Sequence, residues 1–181
     1  GEDSFNTSVV VQKDTIFAVE GRGGASIAVK AGGKGDVTKS GILWSGRDAN
    51  RFGTPVFVNG RLYFVANGIV NCLDATTGKK VFQARLPGGR STGGGEEGGR
   101  GGFGGRGGTD YSSPVAVGDT IYYVTNNGTT HVFKASDKFE SIAVNETTTD
   151  RETFSATPAI SNGELFLRSN KFLYCISSST N

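Results

Sequence analysis

The stretch TPVFVNGRLYFVANGIVNCLD, residues 54–74, decides the fold. Two Asn-Gly pairs, at 59–60 and 67–68, separate three short apolar segments. An Asn-Gly pair between apolar segments is a strong signal for a β-hairpin, because both residues accept the positive φ of a type I′ turn. The stretch therefore predicts three consecutive antiparallel strands.

The same pattern recurs twice more, as SPVAVGDTIYYVTNNGTTHVFK from Ser113 and TPAISNGELFLRSNKFLYCIS from Thr157. In each copy an aromatic residue follows the proline by eight positions: Pro55 and Tyr63, Pro114 and Tyr122, Pro158 and Phe166. A degenerate copy, TSVVVQKDTIFAVEG from Thr7, has Ser8 where the proline would be. Fixed spacing of this kind identifies an internal repeat.

Three of the four copies also contain a candidate fourth strand. VFQARL (81–86) follows a turn in the second copy, and GILWS (41–45) and ESIAVN (140–145) occupy that slot in the first and third. Repeated units of four antiparallel strands are what a β-propeller requires, each unit being one blade. A β-sandwich, the alternative all-β fold, would not need the same proline-to-aromatic spacing three times. We therefore predict an all-β propeller of four-stranded antiparallel blades.

The phase of the repeat predicts an open arrangement. Four blades, at about 4–50, 51–86, 110–147 and 153–181, would hold fifteen strands, because the last blade lacks its outer strand. Uncovered strand edges favour pairing with another chain. We expect this chain to be the C-terminal half of a longer propeller, or two copies to close a ring as a homodimer.

The second copy carries the most specific motif, CLDATTGKKVF (72–82). Together with the Pro-Val strand before it, this motif resembles the pyrroloquinoline-quinone-like (PQQ-like) repeat, in which LDAxTGK is followed by a Trp. The matching residues are Leu73, Asp74, Ala75, Thr77, Gly78 and Lys79. Phe82 stands where the family has Trp, whereas Trp44 keeps that Trp in the first copy. The resemblance covers the chain outside its Gly-rich segment and implies a β-propeller.

The resemblance implies two kinds of activity. The family includes quinone-dependent alcohol dehydrogenases and cofactor-free scaffolds, among them an outer-membrane assembly lipoprotein and many secreted bacterial propellers. A quinone-dependent member would be expected to have adjacent cysteines under the cofactor, a catalytic Asp, and Glu and Asn ligands for calcium. Cys72 and Cys175 instead occupy the same slot two blades apart, which predicts two buried thiols without a disulfide between them. We therefore predict no PQQ or calcium site, no other metal site and no catalytic residue.

Charge and hydropathy exclude further functions. The chain has 19 basic and 17 acidic residues and a net charge of +2, too near neutral to require a polyanionic partner. No apolar run approaches the roughly 18 residues of a membrane-spanning helix. The given sequence starts without a basic-then-apolar signal segment, but its resemblance to exported bacterial propellers predicts a periplasmic or secreted protein.

The excess of glycine is confined to one segment. Thirteen of the 21 residues 88–108 are glycine, and the segment includes GGRGGFGGRGG (98–108). Arginine-glycine boxes bind RNA when the unit recurs many times, but residues 87–108 contain only three Arg, two Glu and one aromatic residue, Phe103. We therefore interpret 87–109 as a flexible insertion between blades, where added length costs little closure entropy.

The remaining candidate residues lie in turns and on one strand. His131, the only histidine, occupies the third-strand slot of Asn71 and Tyr174, and we interpret it as a polar residue at a blade edge and not as a catalytic base. Binding residues concentrate on loops that a rigid scaffold positions. The turns that we expect to form a ligand-binding face are those near Arg22, Asn67, Asn126 and Asn170.

These observations favour a noncatalytic binding scaffold with a protein partner or small ligand at the propeller face. The first alternative is part of a quinone-dependent dehydrogenase whose site needs an N-terminal half outside this chain, which predicts calcium-dependent cofactor binding. The second alternative is nucleic-acid binding through the Gly-rich segment, which predicts RNA binding that weakens steeply with salt.

Overall fold

A computed structural model describes residues 6–19, 24–50, 52–88 and 111–177. These residues form fifteen β-strands, with no helix in the ranges described, and the strands make up four antiparallel sheets. In each sheet the strands lie side by side in chain order. This architecture confirms the predicted fold class, and the last sheet has three strands within the described residues.

The first two sheets have four strands each. The first contains β1 (Val10–Gln12), β2 (Thr15–Val19), β3 (Ser26–Lys30) and β4 (Ile42–Gly46). The second contains β5 (Val56–Val58), β6 (Arg61–Ala66), β7 (Ile69–Asp74) and β8 (Lys80–Arg85).

The third sheet again has four strands, and the fourth has three in the described residues. The third contains β9 (Val115–Val117), β10 (Thr120–Val124), β11 (Thr129–Lys134) and β12 (Ser141–Glu146). The fourth contains β13 (Ala159–Ser161), β14 (Glu164–Arg168) and β15 (Leu173–Ile176).

The hairpin between the first two strands of a sheet follows from its turn residues. Asn59 and Gly60 have φ of 48° and 78°, and Asn162 and Gly163 have φ of 50° and 79°. Two successive residues with positive φ give the type I′ turn, whose twist matches that of the flanking strands. The Asn-Gly pairs therefore set the register in which the strands pair, as predicted.

The sheets pack face to face in chain order, and an apolar core lies at each junction. Because side chains alternate along a strand, each central strand contributes to two cores. In β6, Leu62 and Phe64 pack toward the first sheet, whereas Tyr63 and Val65 pack toward the third. This double burial explains why LYFV is unbroken by polar residues.

Trp44 connects the first sheet to the second. Its indole N–H donates a hydrogen bond of 2.8 Å to the carbonyl of Ala75, and its ring lies against Gly78. A Cβ at residue 78 would lie 2.4 Å from a ring atom, and Gly78 has a φ of 68°. Only glycine therefore fits beneath this ring without displacement.

A ladder of hydrogen bonds links the entries of the four sheets, at the residue two positions before each first strand. The amide of Ser8 donates to the hydroxyl of Thr54 at 3.1 Å, and the amide of Thr54 donates to the hydroxyl of Ser113 at 2.9 Å. The amide of Ser113 then donates to the hydroxyl of Thr157 at 3.0 Å. We call these four residues the hydroxyl ladder.

The ladder corrects the alignment of the degenerate first copy. Val10 pairs with Phe17 as Val56 pairs with Tyr63, so Val9 occupies the position of Pro55. The prediction that Ser8 replaces the proline was wrong by one residue. Lys13, with a φ of 52°, lies in the first turn, where two of the other copies have Asn-Gly and the third has Gly-Asp. The turn signal of the other copies is therefore absent here.

The prediction that both cysteines are buried was wrong for one of them. Cys72 is fully buried at the junction of the second and third sheets, whereas Cys175 is exposed. The two thiols occupy the same position on a third strand, β7 and β15. They differ because the third sheet covers Cys72, while no sheet in the described residues covers Cys175. Both are free thiols.

Candidate binding face

Antiparallel connectivity sorts the loops to two ends of the sheets. The turns that follow β2, β6, β10 and β14 share one end with the connections that follow β4, β8 and β12. We call this end the loop face and the opposite end the turn face. Asn67, Asn126 and Asn170, three of the four residues predicted to mark the binding face, lie in turns of the loop face.

Arg22 lies outside the described residues. Asn67, Asn126 and Asn170 are described, and the structure does not gather them into one pocket. Asn67 lies at the junction of the first and second sheets, whereas Asn126 and Asn170 lie on either side of the connection between the third and fourth.

Asn67 lines a cleft of about 230 Å³ between the first and second sheets. Its side chain is exposed, and its φ of 53° places it in a tight turn with Gly68. The cleft is also lined by Arg47, Asp48, Ala49, Ala66, Ile69, Asn71, Lys80 and Gln83. Most of these side chains are polar, and they come from the connection after β4 and from three strands of the second sheet.

The polar groups of this cleft are partly ordered by one another. The Asp48 carboxylate accepts a hydrogen bond of 3.1 Å from the Ser26 hydroxyl, and it lies 3.7 Å from the Lys80 ammonium group. The amide nitrogen of Gln83 donates to the side-chain oxygen of Asn71 at 2.6 Å. The exposed Arg47 lies beside them, so the cleft presents a cation next to oriented amide groups.

Sequence reasoning missed Arg47, Asp48 and Lys80. The available signal was the charged pair Arg47-Asp48, which directly follows the fourth strand of the first sheet. A connection after a fourth strand leads to the loop face, so charge placed there reaches the same end as Asn67.

Asn126 and Asn170 hold the connection between the third and fourth sheets. The carbonyl of Asn126 accepts the amide of Phe154 at 2.8 Å. The amide of Asn170 donates to the carbonyl of Thr153 at 2.9 Å, and its side-chain oxygen accepts the amide of Thr153 at 3.0 Å. These bonds give both asparagines a role in shaping the loop face.

A buried carboxylate lies on the same connection. Both oxygens of Glu152, which is 9% exposed, are 2.9 Å from the Tyr174 hydroxyl, which donates to this carboxylate. Two effects raise the pKa of Tyr174: partial desolvation, which is the larger, and the hydrogen bond to the Glu152 carboxylate. A neutral phenol therefore satisfies a carboxylate that would otherwise be costly to bury.

The flanks of the Gly-rich segment also lie at the loop face. Gly88 follows β8 and Tyr111 precedes β9, whereas residues 89–110, and with them most of the predicted flexible insertion, lie outside the described residues. The rings of Tyr111 and Phe52 pack with centroids 4.7 Å apart. The segment is therefore attached beside the connection that leads into the second sheet.

His131 lies inside a junction and not at a surface. It shares a face with Tyr123, its cross-strand partner, and packs toward the second sheet with 4% of its surface exposed. Its Nδ1 atom has no hydrogen-bond partner in the part of the chain that is described, and burial lowers the pKa of the imidazole. The ring is therefore held neutral within the packed core.

Two carboxylates converge on one arginine at the turn face. Arg61 Nη1 lies 2.5 Å from Asp74 Oδ2, and Arg61 Nε lies 2.8 Å from Asp137 of the third sheet. Asp74 also accepts hydrogen bonds from the amides of Thr76 and Thr77. The hydroxyl of Thr77, these amides and the arginine lower the pKa of Asp74 against the opposing effect of desolvation. The carboxylate thus stabilises its own turn.

The residues do not fit a quinone and calcium site. Cys72 and Cys175 lie in sheets that are not neighbours, so they cannot form an adjacent pair beneath a cofactor. Within ranges 6–19, 24–50, 52–88 and 111–177, no three His, Cys, Asp or Glu side chains cluster so as to hold a metal ion. The same ranges contain no helix with the length and apolarity needed to span a membrane.

Solved structures with the same arrangement identify the fold as a β-propeller. BamB from Moraxella catarrhalis superposes with a TM-score of 0.69 at 14% identity, over 97% of this chain and 47% of its own. The computationally designed Ika4 protein superposes with a TM-score of 0.61 at 7% identity, over 98% and 92%. A europium-containing methanol dehydrogenase superposes with a TM-score of 0.53 at 13% identity, over 78% of this chain and 24% of its own.

The chain thus spans about half the length of BamB and about a quarter of the dehydrogenase. No protein-family model matches the sequence, and no curated protein matches it. The structural neighbours thus show the fold, a β-propeller.

Proposed function

We propose that this chain is a noncatalytic scaffold of the PQQ-like-repeat type that binds a protein partner, or a small ligand, at its loop face. The observation that carries the proposal is the cleft beside Asn67. It combines an exposed cation with oriented amide groups at the end of the sheets where the connections also gather. Such groups recognise the polar backbone and side chains of a peptide segment.

The proposal includes the division into blades at about 4–50, 51–86, 110–147 and 153–181, and a bacterial periplasmic or secreted location. The fold resemblance to BamB supports the division into blades. The proposed location follows from the resemblance of the repeat to exported bacterial propellers. A homodimer that closes the ring would use the two ends of the row of sheets and not the loop face, so it is a separate proposal.

A peptide library displayed on phage tests the binding face. Peptides selected on the wild-type chain should lose about tenfold or more in affinity for Arg47→Ala and Asn67→Ala, measured by calorimetry, because each substitution removes a hydrogen-bonding group from the cleft. Asn59→Ala is the matched control for Asn67→Ala, because Asn59 has a similar φ of 48° but lies on the turn face. Peptides that bind all three variants equally well would contradict the proposal.

Two further arms address the alternatives. Calcium-dependent binding of PQQ, followed by fluorescence, would support a dehydrogenase segment. Binding of a fluorescent single-stranded RNA that weakens steeply with salt, and disappears when residues 88–108 are deleted, would support nucleic-acid binding. Under the scaffold proposal we expect neither.

A further inference from the structure

Within the described residues, the first and fourth sheets each have one face that no other sheet covers. We call these the two open faces. In the fourth sheet, Leu165, Leu167 and Tyr174 pack toward the third sheet, so alternation turns the other side chains outward. This outward face of the fourth sheet carries Ala159, Ser161, Glu164, Phe166, Arg168, Leu173 and Cys175. Leu173 is 69% exposed.

The first sheet has an outward face of the same kind. Phe17, Val19 and Ala28 pack toward the second sheet, so their neighbours turn outward. The outward face of the first sheet carries Val9, Val11, Ile16, Ala18, Ile27, Val29 and Ile42. Val9 is 56% exposed and Val11 is 60% exposed. Apart from Ser45, which pairs with Ile27, the described strand residues on this face have apolar side chains.

The internal junctions show what such faces pack against. Leu173 and Cys175 occupy the positions of Val70 and Cys72, both of which are fully buried against the third sheet. The outward face of the fourth sheet is therefore the kind of surface that, inside this chain, is always covered by the next sheet. Soluble chains rarely leave contiguous apolar faces of this kind uncovered.

The hydroxyl ladder also stops at the two open faces. At one end the Ser8 hydroxyl, which is exposed, is the position that would accept an amide from a preceding sheet. At the other end the Thr157 amide is the position that would donate to a following hydroxyl. One end of the ladder thus offers an acceptor and the other a donor. The first end of one copy can therefore bond to the last end of another copy, whereas two identical ends cannot bond to each other.

The charges at the two faces are complementary as well. At the junction of the second and third sheets, Arg61 at the start of β6 pairs with Asp137 in the turn between β11 and β12. Glu164 occupies the position of Arg61 in the fourth sheet. In the first sheet, the corresponding turn lies between β3 and β4 and carries the exposed Lys34 and Lys39. The acidic and basic partners of the Arg61–Asp137 pair are therefore exchanged between the two open faces.

One acidic residue shares that lysine-bearing turn. Asp36 accepts hydrogen bonds from both the amide and the hydroxyl of Thr38, which lower its pKa. Its carboxylate is thus engaged within its own turn. Arg168, the remaining charged group on the outward face of the fourth sheet, lies next to the loop face, where its guanidinium group can reach water.

We propose that two copies of this chain join head to tail, so that the outward face of the fourth sheet of each copy covers the outward face of the first sheet of the other. Two such junctions close a ring of eight sheets. The size agrees with BamB, in which the matching part is 47% of the chain. This inference does not depend on what the loop face binds.

Light scattering on a sizing column, applied to the wild-type chain over a wide range of concentration, tests the proposal. We expect a dimer of twice 18.9 kDa that dissociates on dilution without unfolding. A monomer at every concentration, or an open series of growing oligomers, would overturn it.

Variants separate this interface from any other. Leu173→Arg should weaken the dimer at least about tenfold, because the guanidinium group would be desolvated without a partner. Ile142→Arg is the matched control, because Ile142 is 58% exposed on an outer strand away from both faces. Circular dichroism confirms that each variant folds. A folded Leu173→Arg that dimerises like the wild type would overturn the proposal.

A charge exchange tests the orientation of the junction. Glu164→Lys should weaken the dimer several-fold by placing like charges together. Adding Lys34→Glu and Lys39→Glu to the same chain should restore it, and salt should reduce both effects. If the triple variant dimerises no better than Glu164→Lys alone, the two faces do not meet as proposed.

Discussion

The second and fourth sheets carry equivalent residues on the face that points toward the next sheet, but only in the second sheet is that face covered by another described sheet. In the second sheet, Tyr63 and Cys72 are 1% and 0% exposed, because the third sheet lies against them. In the fourth sheet, Phe166 is half-buried and Cys175 is exposed at the same positions. The chain has repeated the residue types, but their environment depends on the neighbouring sheet.

The comparison separates two contributions that are usually mixed in a folded domain. Position on the strand, hairpin register and direction of the side chain are properties of the repeat itself. Burial, and with it most of the stabilisation from apolar side chains, belongs to the junction between repeats.

Thiol labelling should show the largest difference. Burial raises the pKa of Cys72 to about 11, and modification of this thiol requires an opening of the junction. Partial desolvation and the Glu164 carboxylate also raise the pKa of Cys175, but its sulfur is accessible. In dilute solution we expect Cys175 to react with a disulfide reagent at least about a thousandfold faster than Cys72, as measured by absorbance.

Each thiol can be followed alone in the Cys72→Ser and Cys175→Ser variants. If two copies join as proposed, labelling of Cys175 also slows as the protein concentration rises, whereas labelling of Cys72 does not change. Equal labelling rates for the two thiols in dilute solution would mean that the junction over Cys72 is open.

Truncation of the paired aromatic side chains should give the next largest effect. Tyr63→Ala should lower the free energy of unfolding by about 3–5 kcal/mol, because it leaves a cavity in the core between the second and third sheets. Phe166→Ala should cost about 1 kcal/mol in dilute solution, because its ring is only half-buried there. Urea unfolding monitored by circular dichroism measures both. Costs of similar size would contradict the comparison.

Two glycines with similar backbone angles give a smaller difference. Gly78→Ala should cost about 2–4 kcal/mol, because the new methyl group adds overlap with the Trp44 ring to the strain of a φ of 68°. Gly163 has a φ of 79° and open space around it, so Gly163→Ala should cost only about 1 kcal/mol of backbone strain. Thermal unfolding distinguishes them. If Trp44→Ala does not relieve the cost of Gly78→Ala, the ring is not its cause.

The two carboxylates beside Arg61 should show the smallest effect. Asp74→Ala should cost about 1 kcal/mol, since Asp74 accepts turn amides as well as the arginine. Asp137→Ala should cost at most about 0.5 kcal/mol, because this carboxylate is 71% exposed. Both values come from urea unfolding at neutral pH.

The stabilising contribution of Asp74 should depend on pH. Since folding lowers the pKa of Asp74, its contribution is present above the ordinary value of 3.8 and is lost as the pH falls through the lower folded value. The stabilities of Asp74→Ala and the wild type should therefore converge on acidification below that range. A difference that stays constant down to strongly acidic pH would contradict the assignment.

The sequence predicts the strands because the repeat fixes their spacing. A proline eight positions before an aromatic residue, with a turn pair between them, leaves only one register for a hairpin. The first copy lacks both the proline and the Asn-Gly pair, and there the prediction slipped by one residue, from Val9 to Ser8. A register signal carried by two residues is lost when both are replaced.

The binding face was predictable only in part. Antiparallel order places Asn67, Asn126 and Asn170 at one end, and this follows from counting strands. Their contacts depend on the connections between sheets, which differ in length and sequence from one unit to the next. The bonds of Asn170 to Thr153 and the charges beside Asn67 therefore could not be read from the repeat.

The hydroxyl ladder has a consequence for how such a chain changes over generations. Each sheet brings one main-chain donor and one side-chain acceptor, and a serine or a threonine serves equally well at the accepting position. Duplication or loss of a whole unit leaves no internal group of the ladder without a partner. The number of units can therefore drift by recombination without compensating mutations, while the direction in which units follow one another stays fixed.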